Sequence, residues 1–197
     1  AKTDQIRLGT GVMTVPLYNP VRIAENTAFI DILSGGRITL GLGSGYRPYE
    51  FEGFGVPFDE RRDIQEEAIP LILDAMHGKP LEHQGKYFTA QVAGDYELFP
   101  ASVQRPHPPL YMAGGTERSI GFAADHGFGL MLSTLPSAES LAGQIDFYRA
   151  RVKNAPEPWN ANPACGEVDI ARWVYVAESD EQARADSEDG ILRHLAH

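Results

Sequence analysis

Cysteine is almost absent: Cys165 is the single thiol in 197 residues. One thiol cannot close an internal disulfide, so a disulfide-stapled scaffold is excluded. No apolar run approaches the roughly 20 residues that cross a bilayer, and no basic-then-apolar stretch opens the sequence. Positive charge is scarce, with 17 Lys and Arg against 27 Asp and Glu, a formal net charge of -10. With a pI near 5.0, such a surface repels phosphate backbones and anionic lipid. Nucleic-acid and membrane partners are therefore set aside, and a cytoplasmic location is expected. Fixed-period repeats and low-complexity segments are missing. What remains is an ordinary globular composition, 43% hydrophobic and 22% charged, which argues against disorder.

The pattern along the chain is apolar strand, small-residue turn, amphipathic helix, then strand again. A first strand is expected over Ile6 to Val15. Asn19 is placed to cap a helix whose first residue is Pro20, and Ser34-Gly35-Gly36 stops it. Arg37 to Leu42 reads as a buried strand. After a loop rich in Tyr, Phe and Gly, Asp59 is expected to cap a second helix with Ile64, Ala68, Leu71 and Ala75 on one face. Pro70 should kink that helix, and Gly78 and Pro80 end it. The segment 86–99 reads as a small hairpin turning at Ala93-Gly94-Asp95. Strands over Leu110 to Ala113, Gly129 to Leu132 and Asp169 to Val176 follow. Each leads to a helix, opening near Glu117, at Ser137 and at the capping-box sequence Ser179 to Gln182. About five strand–helix units with short apolar strands predict a parallel sheet covered by helices, either an open doubly wound sheet or a (β/α) barrel. One domain is expected, with excursions at about 79–108 and 153–167.

In both architectures ligands meet the C-terminal strand ends. Those ends carry Gly9-Thr10-Gly11, Gly43-Ser44-Gly45, Gly114-Gly115-Thr116 and Ser133-Thr134. Gly114-Gly115-Thr116 directly before a helix suits a phosphate, since small residues expose backbone N–H groups to the positive end of the helix. An ordinary βα turn is the alternative. Gly41-Leu42-Gly43-Ser44-Gly45 fails as a dinucleotide fingerprint, because the third Gly would fall at Tyr46 or Pro48. No Gly-Lys-Ser/Thr follows it, so there is no P-loop either. Arg61 and Arg62 stand in a first helical turn, where a cation is mildly unfavourable; they either reach an anion or pair with Asp63 or Glu66 on the surface. Asp59, Glu60, Glu66 and Glu67 read as solvent-facing. Tyr46, Tyr49, Phe51 and Phe54 could wall a ring-shaped ligand or pack a loop. The six histidines form no metal pattern beyond His194 and His197 near the end of the sequence, and Cys165 has no nearby His to activate it. No self-contained acid–base or nucleophile set emerges, so the catalytic residues are unassigned and no metal is expected.

Several ordered runs carry a resemblance. Pro20 to Glu25, Asp31-Ile32-Leu33-Ser34-Gly35-Gly36-Arg37, Gly41 to Tyr46, Glu50-Phe51, Phe54 to Pro57 and Gln104 to Pro109 are similar to the bacterial luciferase-like monooxygenase family. The resemblance implies a (β/α)8 TIM barrel and a flavin-dependent oxidoreductase that uses reduced FMN and O₂ on a small organic substrate. A separate flavin reductase and a homo-oligomer are implied partners. F420 serves a sister branch, and the Ala24-Glu25 and Asp31 to Arg37 runs look more like the FMN branch. A non-catalytic flavin-binding protein is a further alternative, and a sugar-phosphate enzyme rests on the Gly-Gly-Thr turn alone. For the cofactor the resemblance implies Gly11 and Val12 at a non-prolyl cis peptide under the flavin ring. It implies Gly114, Gly115, Thr116, Ser119 and Arg62 at the phosphate, with Ser44 where luciferase has an Arg. Family chains begin with two further βα units, the second carrying a histidine important in catalysis. The first strand here resembles the third of the barrel and the last unit the seventh, so an incomplete barrel of about strands 3 to 7, an internal fragment, is expected.

Overall fold

The computed structural model describes residues 3–91, 99–133 and 135–195. Its first strand is not continuous over Ile6 to Val15 but consists of β1 (Leu8–Gly9) and β2 (Met13–Thr14), both parallel to β3 (Ile38–Gly43). Leu8 stands opposite Ile38 and Met13 opposite Leu42, so five steps of the first strand span four of β3. That is a bulge, and Thr10 fills the ladder position it vacates. Its hydroxyl donates to the Gly41 carbonyl at 2.7 Å and accepts from the Gly41 N–H at 2.9 Å.

The main sheet continues through β6 (Leu110–Ala113), β7 (Gly129–Leu132) and β8 (Val168–Ile170), all parallel, in the order β1-β3-β6-β7-β8. Strict chain order is the winding of a barrel; a doubly wound sheet would reverse at a switch point. Leu40, Leu42, Leu110, Met112, Leu130 and Leu132 form one buried cluster with side chains of α1 (Pro20–Ser34), α3 (Arg61–Met76), α4 (Glu117–Asp125) and α5 (Ala138–Val152). The helices thus share one face of a curled half-barrel. The intervening positions Gly41, Gly43, Tyr111, Ala113, Gly129 and Met131 take the concave face. There the Tyr111 ring lies so close over Gly129 that a Cβ at that glycine would be 2.4 Å from it.

Local chemistry sets the ends. Asn19 Oδ1 accepts from the N–H groups of Val21 and Arg22, and Gly35, at φ 67°, closes α1. The loop after β3 holds a short helix that the sequence pattern did not reveal, α2 (Pro48–Phe54), with Pro48 in its first turn and Gly55 at φ 67° after it. Asp59 does not cap α3; a 3₁₀ turn, Phe58–Glu60, leads into it, and the helix is continuous across Pro70. The hairpin pairs β4 (Glu82–Gln84) with β5 (Thr89–Gln91), upstream of the expected turn at 93–95, which lies outside the described residues. Glu67 fixes the turn of this pair: its carboxylate accepts the N–H groups of Lys86, Tyr87 and Phe88. Burial pushes that carboxyl up, and the bonds from Phe88, His83, Tyr87 and Lys86 outweigh it, so Glu67 is held below the usual carboxylate range. Glu60 likewise accepts from Lys86 Nζ at 2.6 Å and Tyr87 OH at 2.5 Å. Neither glutamate is merely solvent-facing.

The last strand is shorter than Asp169 to Val176, because β7 offers partners only as far as Leu132, opposite Ile170. Ser179 does open α6 (Asp180–Leu195), its Oγ accepting from Gln182 N, while Gln182 turns its amide to Asp186 instead of completing the reciprocal box. Tyr148, fully buried, donates its hydroxyl to Phe128 O at 2.6 Å and accepts from Gly166 N at 3.1 Å. Burial pushes its phenol up to about 12, so it remains a donor throughout the neutral range. Tyr148→Phe orphans both backbone groups, and a loss of about 1 kcal/mol is expected in urea unfolding. No helix among the described residues is long and apolar enough to cross a membrane.

Candidate functional site

Because the sheet is parallel, its C-terminal strand ends form a single rim, and the helices that follow begin there. All eight residues expected at a cofactor lie at this end of the sheet. Gly11 and Val12 occupy the bulge, and the peptide between them is cis. Val12 packs over β3 so tightly that a Cβ at Gly43 would meet its Cγ2 at 2.5 Å, whereas a Cβ at Gly11 would meet nothing within 4 Å. Ser44 follows β3, half-buried and without a side-chain hydrogen bond among the described residues.

The two adjacent arginines of α3 behave differently. Arg61 Nε donates to Gly45 O at 3.2 Å, Nη1 donates to Phe58 O at 2.9 Å, and the guanidinium covers the Phe58 ring at 3.9 Å. Burial and then the neighbouring Arg62 charge lower its proton affinity. Arg62 is half-buried and has no hydrogen bond or ion pair among the described residues. Its expected surface partners are taken: Arg118, on the first turn of α4, donates to Asp63 at 2.6 Å and to both oxygens of Glu66 at 2.8 and 2.9 Å. These bonds also fix the first turns of α3 and α4 side by side.

The turn from β6 into α4 carries Gly114, Gly115 and Thr116. Thr116 caps the helix, accepting from Ser119 N at 3.3 Å, while Ser119 Oγ accepts from the N–H groups of Gly115 and Thr116, both at 3.1 Å. Gly114 is packed, since a Cβ there would lie 3.1 Å from Leu130 and 3.2 Å from Ile120; Gly115 faces open space. The first-turn N–H groups of Glu117 and Arg118 have no acceptor within their own helix. A phosphate requires a cation, small residues and free donors: Arg62, the open space at Gly115 and the first-turn N–H groups of α4 meet these needs, while the Thr116 and Ser119 hydroxyls bond to each other at 3.0 Å. The donor set therefore fits a phosphorylated cofactor.

Other candidates separate. Phe51 is fully buried against Phe58, whereas Tyr46, Tyr49 and Phe54 are exposed, so the aromatic cluster is not one wall. His77 and His107 lie against each other with ring centroids 5.3 Å apart, and His126 stacks on Phe122. Burial lowers the proton affinity of His77 and His107. No cluster of three metal-ligating side chains exists among the described residues. Burial raises the Cys165 thiol, against a nucleophilic role. Sequence reasoning missed Arg118, which lay 52 residues from Glu66 with no local signal.

The luciferase-like monooxygenase family model matches residues 1–196. The oxygenase component of a flavin-dependent trigonelline monooxygenase from Acinetobacter baylyi is 28% identical over 93% of this chain and 49% of its own length. An F420-dependent glucose-6-phosphate dehydrogenase from Rhodococcus erythropolis is 31% identical over 68% of this chain and 40% of its own. Among solved structures, the monooxygenase RslO1 from Streptomyces bottropensis superposes with a TM-score of 0.83 at 24% identity, covering 99% of this chain and 59% of that one. The chain spans about half the length of the curated relatives it matches. Its sheet order, its one-sided layer of helices and a family match over nearly every residue agree, and the chain belongs to the luciferase-like monooxygenase family.

Proposed function

We propose that this chain forms the cofactor-binding part of a flavin-dependent monooxygenase that uses reduced FMN and O₂ on a small organic substrate. The observation that carries the reading is Arg62, a half-buried cation left unpaired among the described residues in the first turn of α3, a helix that Arg118 ties to the start of α4. Arg62, Gly115, Thr116 and Ser119 would hold the phosphate, Ser44 would stand beside it, and Gly11 and Val12 would support the ring system. When bound, the flavin supplies the electrons of the oxygenation; the chain binds it, orients it and shields one side from water. The flavin-dependent relative, aligned over 93% of the chain, supports FMN. The relative named as an oxygenase component supports a separate reductase as partner.

Titration of the protein with FMN, followed by flavin fluorescence, is expected to saturate, and Arg62→Ala to weaken binding roughly tenfold, about 1.4 kcal/mol. A protein that ignores FMN and binds F420 would overturn the choice of cofactor.

A further inference from the structure

Arg62 has no bonded partner among the described residues, while a second arginine holds two carboxylates of the same helix. Spacing offers Arg62 the carboxylate of Glu66, one turn on, with Asp63 adding negative charge on the same turn. In the structure both belong to Arg118, reached from the neighbouring helix by three charge-assisted bonds of 2.6 to 2.9 Å. Glu66 is bound through both oxygens, which orients its carboxylate toward α4. Two further neighbours are engaged, while Asp59, three residues before Arg62, is exposed and has no bond among the described residues. Arg61 is bonded to two carbonyls, and Glu60 is held by Lys86 and Tyr87.

We infer that Arg118 is a positioning residue for anion binding: it sequesters Asp63 and Glu66, so that Arg62 stays unpaired and available to a phosphate at the α4 N-terminus. This inference rests on the phosphate role proposed for Arg62. Arg118 itself touches no ligand in this scheme. Its effect is carried by two carboxylates that otherwise neutralise the binding cation and add negative charge beside an anion site.

The test compares FMN with riboflavin, which shares the ring system and lacks the phosphate. Loss of a merely structural contact weakens both ligands; loss of the sequestration weakens FMN selectively. Arg118→Met is expected to reduce FMN affinity five- to tenfold and leave riboflavin affinity within twofold. Adding Asp63→Asn and Glu66→Gln to Arg118→Met is expected to restore FMN binding, because no carboxylate is then released onto Arg62. If Arg62→Ala collapses the FMN preference while Arg118→Met leaves it intact, or if the triple variant fails to recover it, the inference about Arg118 is overturned and the phosphate role of Arg62 stands. If Arg62→Ala itself leaves the preference unchanged, the phosphate reading falls and takes the inference with it.

Discussion

Asp31→Leu is expected to lower the unfolding free energy by about 4 kcal/mol, the largest loss from any single change considered for this chain. Asp31 is fully buried on the inner side of α1. Its carboxylate accepts from Val103 N at 2.8 Å, Gln104 N at 2.9 Å and Gln104 Nε2 at 2.8 Å. The same Gln104 amide reaches Ile38 O at 2.9 Å, at the start of β3. One carboxylate thus fastens the long connection before β6 to both α1 and the sheet. Leucine nearly fills the volume, so no large cavity adds to the effect; the loss comes from three donors stripped of a charged acceptor at once. Asp31→Asn keeps one carbonyl oxygen and is expected to lose about half as much. Urea unfolding of both variants, read by circular dichroism, checks the ratio, and equal losses would show that the acceptors are not what matters.

Gly41→Ala is expected to lose about 3 kcal/mol and to weaken flavin binding as well. A Cβ at Gly41 would stand 2.2 Å from the Thr10 carbonyl oxygen and 2.9 Å from Met131 Sδ. The methionine can swing aside, but the carbonyl belongs to the bulge, and moving it breaks both bonds between the Thr10 hydroxyl and the Gly41 backbone. Gly143→Ala in α5 is the control. Nothing lies within 4 Å of its Cβ position, so removing a helical glycine is expected to stabilise the fold by about 1 kcal/mol. A Gly41→Ala variant as stable as the parent would show that the bulge yields freely.

These residues mark what a single sequence reveals. Strands over 110–113 and 129–132 and the helix starts at Asn19 and Ser137 follow from local chemistry, and the structure has them at those positions. The pair Gly41 and Gly43 was visible, yet its purpose was not: each glycine makes room for a backbone or side chain of the bulge rather than for a nucleotide. The pairing of 82–84 with 89–91 was not legible, because Glu67, 16 to 21 residues away, holds its turn. Asp31 sits 72 residues from Val103, and Arg118 sits 55 from Asp63; no periodicity reports partners at such separations. Arg62 shows the same limit from the other side. Its spacing favoured a surface pair, and only the tertiary structure reveals that the pair was broken by a third residue.

The bulge between β1 and β2 has a consequence for which side chains meet a ligand. In an unbroken strand the even positions that accompany Leu8 would keep one face to the end, carrying Val12 and Thr14 toward the helices. The extra residue inverts that parity. Met13 turns outward to pack against the helical core, and Val12 and Thr14 turn inward, where their methyl groups approach Gly43 and Gly45. The site therefore depends on the number of residues between Gly9 and Met13 more than on their identity. A one-residue deletion there exchanges the lining of the rim for its backing, an outcome that no substitution at the same positions produces.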